Sequence, residues 1–206
     1  MKRPLPSEIA TEIAGPAGKL EALASECSNP IAQVILCHPH PLFEGTMWNK
    51  VITQLTKQFI AQRFNTLRFN YRGVQGSDGQ YGKVTGECAD AQAVYQWVTA
   101  KHSLPMWFCG FSFGSYIAAK LADTHQLPCL MIAPPVMRFP FDPLTFQNPC
   151  HIIQGNSDEI VDPQQVIDFA KNKQIPISVV EQASHFFHRQ LHVLAEKAQS
   201  FIDNNL

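Results

Sequence analysis

Met106-Trp107-Phe108-Cys109-Gly110-Phe111-Ser112-Phe113-Gly114-Ser115-Tyr116-Ile117-Ala118-Ala119-Lys120-Leu121-Ala122 runs from an apolar strand into a helical segment with one serine at the joint. Residues 106–109 form a short apolar run of strand length, and 115–122 read as a helix. Between them Gly110-Phe111-Ser112-Phe113-Gly114 is a Gly-x-Ser-x-Gly elbow. The sharp strand-to-helix turn strains the serine backbone, and small residues two positions either side let neighbouring backbone come close. Such a turn holds the Ser112 hydroxyl out at the carboxyl edge of a sheet. A plain glycine turn has no need of two glycines flanking a serine at this spacing.

The flanking sequence repeats the alternation. Strand-like runs at 32–37, 65–69, 129–132, 151–154 and 177–181 are separated by helical patterns with an apolar stripe. Ala91, Val94, Tyr95 and Val98 make one stripe; Leu191, Leu194, Ala195, Ala198, Phe201 and Ile202 make the last. This order predicts a mostly parallel central sheet with helices on both faces. Ahead of it, segments 8–14 and 19–24 flank Gly15-Pro16-Ala17-Gly18 and predict a leading hairpin. Asp162 followed by Pro163 predicts a helix N-cap and first helical residue. With no repeat or linker, one domain over residues 1–206 is the simplest organisation.

A serine is a poor nucleophile without a base to take its proton and an acid to orient that base. Sheets with such an elbow supply them in the chain order serine, acid, histidine. Asp158 falls on the loop just past the strand at 151–154, where an acid must sit. Glu159 and Asp162 are the rivals, but Asp162 caps a helix and Glu159, as the adjacent residue, points elsewhere. His185 follows the last strand, in Gln182-Ala183-Ser184-His185-Phe186, and is the expected base. His188 is its competitor, placed at the opening of the final helix as a surface histidine. His102, His125 and His192 fall on helices or their ends.

Stabilising the developing oxyanion takes two preorganised N–H donors. Phe113, the residue after the nucleophile, supplies one. The other is expected from His38-Pro39-His40-Pro41-Leu42-Phe43-Glu44-Gly45, where the prolines have no N–H, leaving His40 first and Leu42 second. His38 and His40 admit a second reading as ligands of a catalytic metal, but no downstream cluster completes the set without dismantling the triad. Phe43, Phe111, Met137 and Phe186, with Phe139, Phe141 and Phe187, cluster in sequence around the expected mouth. The first four are read as substrate-binding residues.

These residues together resemble the small α/β-hydrolases related to dienelactone hydrolases. The resemblance runs from Ile31 to the C-terminus. It rests on Cys37-His38-Pro39-His40-Pro41-Leu42, Asn70-Tyr71-Arg72-Gly73-Val74, Gly110-Phe111-Ser112-Phe113-Gly114, Gly155-Asn156-Ser157-Asp158 and Ala183-Ser184-His185-Phe186-Phe187. It implies an α/β-hydrolase fold with a minimal cap or none. Dienelactone hydrolases proper use a cysteine nucleophile, whereas this elbow holds serine.

Composition narrows the function. A hydrophobic fraction of 45%, 16% charged residues and a net charge of -1 give no electrostatic reason to expect nucleic acid. No apolar run is long enough to span a bilayer, and the start lacks a secretory h-region, so a cytoplasmic protein is expected. The six cysteines lie mostly in strand-like segments and are expected as free thiols. The expected function is hydrolysis of a small or medium acyl ester by a Ser112-His185-Asp158 triad, with no cofactor. Thioester or amide hydrolysis, or a catalytically idle binding module, are the alternatives.

Overall fold

The computed structural model describes residues 3–206. The hairpin comes first: β1 (Glu8–Gly15) and β2 (Gly18–Ser25) pair antiparallel along their full length, from Glu8↔Ser25 to Gly15↔Gly18. Then follow β3 (Ala32–Cys37), a 3₁₀ turn (Pro41–Phe43), α1 (Lys50–Ala61), β4 (Phe64–Phe69) and α2 (Thr85–Lys101). After these come β5 (Met106–Phe111), α3 (Phe113–His125), β6 (Cys129–Ile132), β7 (Cys150–Gly155), α4 (Pro163–Lys173), β8 (Ile177–Val180) and α5 (Leu191–Asp203). Asp162 caps α4 through its side chain, which accepts Gln164 N–H at 2.9 Å, with Pro163 in the first turn.

The eight strands form one sheet in the order β1-β2-β4-β3-β5-β6-β7-β8. β2 meets β4 antiparallel, and every pairing from β4 through β8 is parallel. Side chains alternate across this sheet and feed two cores. Trp107, Cys109 and Phe111 of β5 join Val34, Leu36 and the apolar stripes of α1 and α5 on one face. Met106 and Phe108 join Ile35, Cys37 and the stripes of α2, α3 and α4 on the other. This is the α/β-hydrolase fold. The six cysteines are free, and no helix among the described residues is long and apolar enough to cross a membrane.

Strand order reverses at β3. From β3 the chain crosses through α1 to β4 on one side, then returns through α2 to β5 on the other. Loops leaving the carboxyl ends of β3 and β5 therefore diverge, and a crevice opens between them.

The hairpin is fastened by a buried ion pair. Arg68 of β4 donates from Nε to Glu8 Oε1 at 2.7 Å and from Nη2 to Glu8 Oε2 at 2.6 Å, both side chains being fully shielded from water. Its Nη1 donates to Met47 O and to Thr53 Oγ1 of α1, each at 2.8 Å. The guanidinium thus ties the first residue of β1 to the start of α1. Removing one partner strands a buried charge, so Glu8→Ala is expected to cost about 3–5 kcal/mol. Glu8→Ala/Arg68→Met is expected to recover much of that loss, measured by urea denaturation of both variants.

Candidate active site

Ser112 stands between β5 and α3 with φ 53° and ψ -122°. A non-glycine residue in this region costs about 1–3 kcal/mol and persists only where its surroundings hold it. Here Ser112 N–H donates to Ile132 O at 2.8 Å, while Ser112 O accepts Ser115 N–H at 2.8 Å and Ser115 Oγ–H at 2.5 Å. The helix reaches the sheet closely enough that a Cβ at Gly114 would lie 2.1 Å from Cys37 O and 2.5 Å from His38 O. Only glycine fits there, and the contact joins the elbow to the loop after β3.

Asp158 follows β7, and its side chain is shielded from water. Its Oδ1 accepts Ile160 N–H at 2.9 Å and Val161 N–H at 2.8 Å. Its Oδ2 accepts Gln154 Nε2–H at 3.0 Å and lies 2.8 Å from His185 Nδ1. Burial alone would raise its pKa. The bond to His185, the imidazole's charge and the two backbone donors outweigh that, holding it below the ordinary carboxylate value. The carboxylate sets the tautomer: Nδ1 of His185 carries the proton, and Nε2 is turned over to the cleft side. The loops that carry Asp158 and His185 are zipped together by Ser157 N–H to Ala183 O and Asn156 N–H to Val180 O, each at 3.0 Å. A Cβ at Gly155 would lie 2.3 Å from Ala183 O, so this approach also requires glycine.

A cleft of about 750 Å³ lies over these elements, lined by Ser112, His185, His40 and Phe113 with Phe43, Glu44, Arg138, Phe139, Ile160 and Phe186 among its walls. The volume suits a small organic ligand. Ser112 and His185 face this one cavity, but no hydrogen bond joins them among the described residues. Such contacts are often open in the free protein. Phe113 is the first residue of α3, so its N–H has no intrahelical acceptor.

Two expected pocket residues are misplaced. Phe111 shares the parity of Trp107 and Cys109, so it points into the α1/α5 core, fully buried beneath the His185 ring at 5.0 Å. Met137 is 73% exposed and borders a separate depression with Val136 and Phe169. Phe43 and Phe186 do line the cleft. His188 is exposed on the far side of Phe187. Glu159 does not meet the His185 ring: its Oε2 accepts the backbone N–H of His185 at 3.2 Å. Sequence reading missed Gln154, Arg138 and Tyr81. Gln154 had a signal, a polar residue ending an apolar strand, since a buried amide requires partners.

The pair His38 and His40 does not have the geometry of a metal site. His38 is fully buried, its Nδ1–H donating to Pro39 O at 2.7 Å and its Nε2 accepting Tyr71 N–H at 3.2 Å. Both nitrogens are committed to the backbone, and none is left for an ion. The loop after β4 is fixed at the same place, with Arg72 donating to Asp90 through Nη2 at 2.7 Å.

Residues 32–203 match the family described as alpha/beta hydrolase domain. The chain belongs to this family. This α/β hydrolase is 33% identical to XC6422 of Xanthomonas campestris, described as an α/β serine hydrolase without lid. The match covers 98% of this chain and 97% of that one, with a TM-score of 0.89. An α/β serine hydrolase homologue from Coxiella burnetii is 38% identical, over 96% of this chain and 99% of that one, with a TM-score of 0.90. An uncharacterized protein of Rickettsia prowazekii, RP471, is 34% identical over 189 residues, 84% of this chain and 79% of that protein.

The buried His38 is expected to make the fold acid-sensitive. Burial, partly opposed by the bond to Pro39 O, holds its pKa down to about 3. An unfolded histidine takes up its proton near 6.5, so between about pH 6.5 and 3 the unfolded state binds the extra proton and stability falls with pH. The loss at pH 5 relative to pH 7 is expected to be about 2 kcal/mol. In His38→Gln, whose Oε1 takes over as acceptor for Tyr71 N–H, this part of the dependence is expected to vanish in urea titrations at the two pH values.

Proposed function

We propose that the chain is a serine esterase acting on a small or medium acyl ester. The observation that carries this reading is the convergence on one cleft of a strained elbow serine and an imidazole fixed by a fully hydrogen-bonded, buried carboxylate. Ser112 Oγ attacks the ester carbonyl while His185 Nε2 takes its proton. The imidazolium formed is stabilised by Asp158 and returns the proton to the leaving alkoxide. Backbone N–H groups of Phe113 and His40 hold the oxyanion, aided by the positive end of α3. Water then repeats the sequence on the acyl-enzyme, with His185 again as base. A thioester or amide would follow the same steps; nothing in the cleft favours them over an ester.

The Xanthomonas and Coxiella relatives, both described as serine hydrolases, support the reaction class. The histidine-proline and arginine-glycine loops support a place near the dienelactone-hydrolase-related group. Phe43, Phe139 and Phe186 offer apolar walls to the acyl or alcohol part. Six free thiols support a reducing, cytoplasmic compartment.

Fluorophosphonate is expected to label Ser112 alone, read by peptide mass spectrometry, and ester turnover is expected to persist in EDTA. His185→Ala is expected to lower kcat by about 10⁴, since triad members act as a unit. His188→Ala should leave the rate within about twofold, as for a surface substitution. Labelling at another serine, or collapse in His188→Ala with normal turnover in His185→Ala, would overturn the reading.

A further inference from the structure

The side chain of His40 is fixed at both nitrogens. Nδ1 accepts Leu42 N–H at 3.2 Å and caps the 3₁₀ turn Pro41–Phe43. With Nδ1 an acceptor, the proton of the neutral ring sits on Nε2, which faces Tyr81 Oη at 3.2 Å. The ring packs against Phe113 at 4.7 Å, Phe43 at 5.0 Å and Tyr81 at 5.2 Å. Tyr81 is itself held. The buried carboxylate of Glu87 accepts Gly82 N–H at 2.7 Å and Val84 N–H at 2.8 Å, closing the loop between β4 and α2. Val84 has φ 75°, which a β-branched residue adopts only when its surroundings impose it.

We propose that His40 is a positioning residue for the oxyanion loop, steadied by Tyr81, and that a proton at its Nδ1 releases that loop. The proposal rests on the serine-hydrolase reading above. A protonated Nδ1 would set N–H against Leu42 N–H, donor against donor, and the cap would be lost. Phe43 N–H and Gly45 N–H both donate to His40 O at 3.1 Å, so the turn is anchored on the His40 carbonyl, across one Cα from the His40 N–H. Disturbing the ring therefore disturbs the N–H that would receive the oxyanion. Tyr81 and Glu87 face the imidazole from the neighbouring loop and α2, His38 from its own loop, and Glu44, Arg138 and His185 share the cleft. Burial disfavours the imidazolium more than Glu87 favours it, so His40 is neutral at neutral pH and takes its proton on the acid side. Turnover then requires two neutral imidazoles, His185 as base and His40 as support.

The test is the acid limb of log kcat/KM for p-nitrophenyl acetate with the full chain, alongside the Leu42 amide resonance followed by NMR over the same pH range. The limb is expected to steepen from about one toward about two decades per pH unit, with the Leu42 amide titrating at the steeper part. His40→Asn, whose Oδ1 is a non-titrating acceptor for Leu42 N–H, is expected to show about one decade per unit throughout. Its kcat is expected to exceed that of His40→Ala by at least ~10-fold, within the range known for a compromised oxyanion donor. Tyr81→Phe is expected to lower kcat with KM little changed. A wild-type limb of one slope with an unmoving Leu42 amide overturns the proposal, as does equal kcat in His40→Asn and His40→Ala. Absence of both turnover and fluorophosphonate labelling overturns the serine-hydrolase reading instead, and the Leu42 titration then decides the capping role of His40 by itself.

Discussion

The contact on which the rest depends is the one between the first turn of α3 and the end of β3, where Gly114 lies against the carbonyls of Cys37 and His38. It draws together the two carboxyl ends from which the chain departs in opposite directions. Any side chain at position 114 would lift α3 off the sheet. The strained Ser112 backbone, the free N–H at the head of α3 and the histidine-proline loop all take their relative places from this approach. The strain is sustainable because the helix cannot move away: its own packing in the α2/α3 core holds it down.

Several polar groups around the cleft are held by a full set of partners. Asp158, with four donors, and His38, with both nitrogens committed, are immobile. Away from the cleft lining, Glu87 with two backbone donors and Arg68 with four acceptors hold their neighbouring segments in the same way. Buried charge is costly unless so satisfied, and these groups hold loops rather than react. Ser112 Oγ and His185 Nε2 are the contrasting pair, held by their neighbours yet facing the cavity.

Much of this was legible in the sequence because it is encoded over short distances. The elbow, Asp158 and His185 each announce themselves by position at a strand end, and the hairpin and the Asp162 cap by local turn chemistry. Phe111 was misread although the strand's own period of two, through Trp107, Cys109 and Phe111, already sends it to the far core. Met137 lies in the irregular segment between β6 and β7, where no period says which way a side chain faces. The contact of His40 with Tyr81 spans 41 residues and has no local signature at all.

Among the described residues no helical cap is inserted over the crevice; the segment between β6 and β7 contributes only Pro135, Arg138 and Phe139 to one wall. With no cap to move, the proposed reaction would need no lid opening before product release. An acyl group carried on Ser112 would meet water at its full concentration. Under the proposed reaction, other alcohols, being far scarcer than water, would compete poorly for that acyl group unless the walls of the cleft held them.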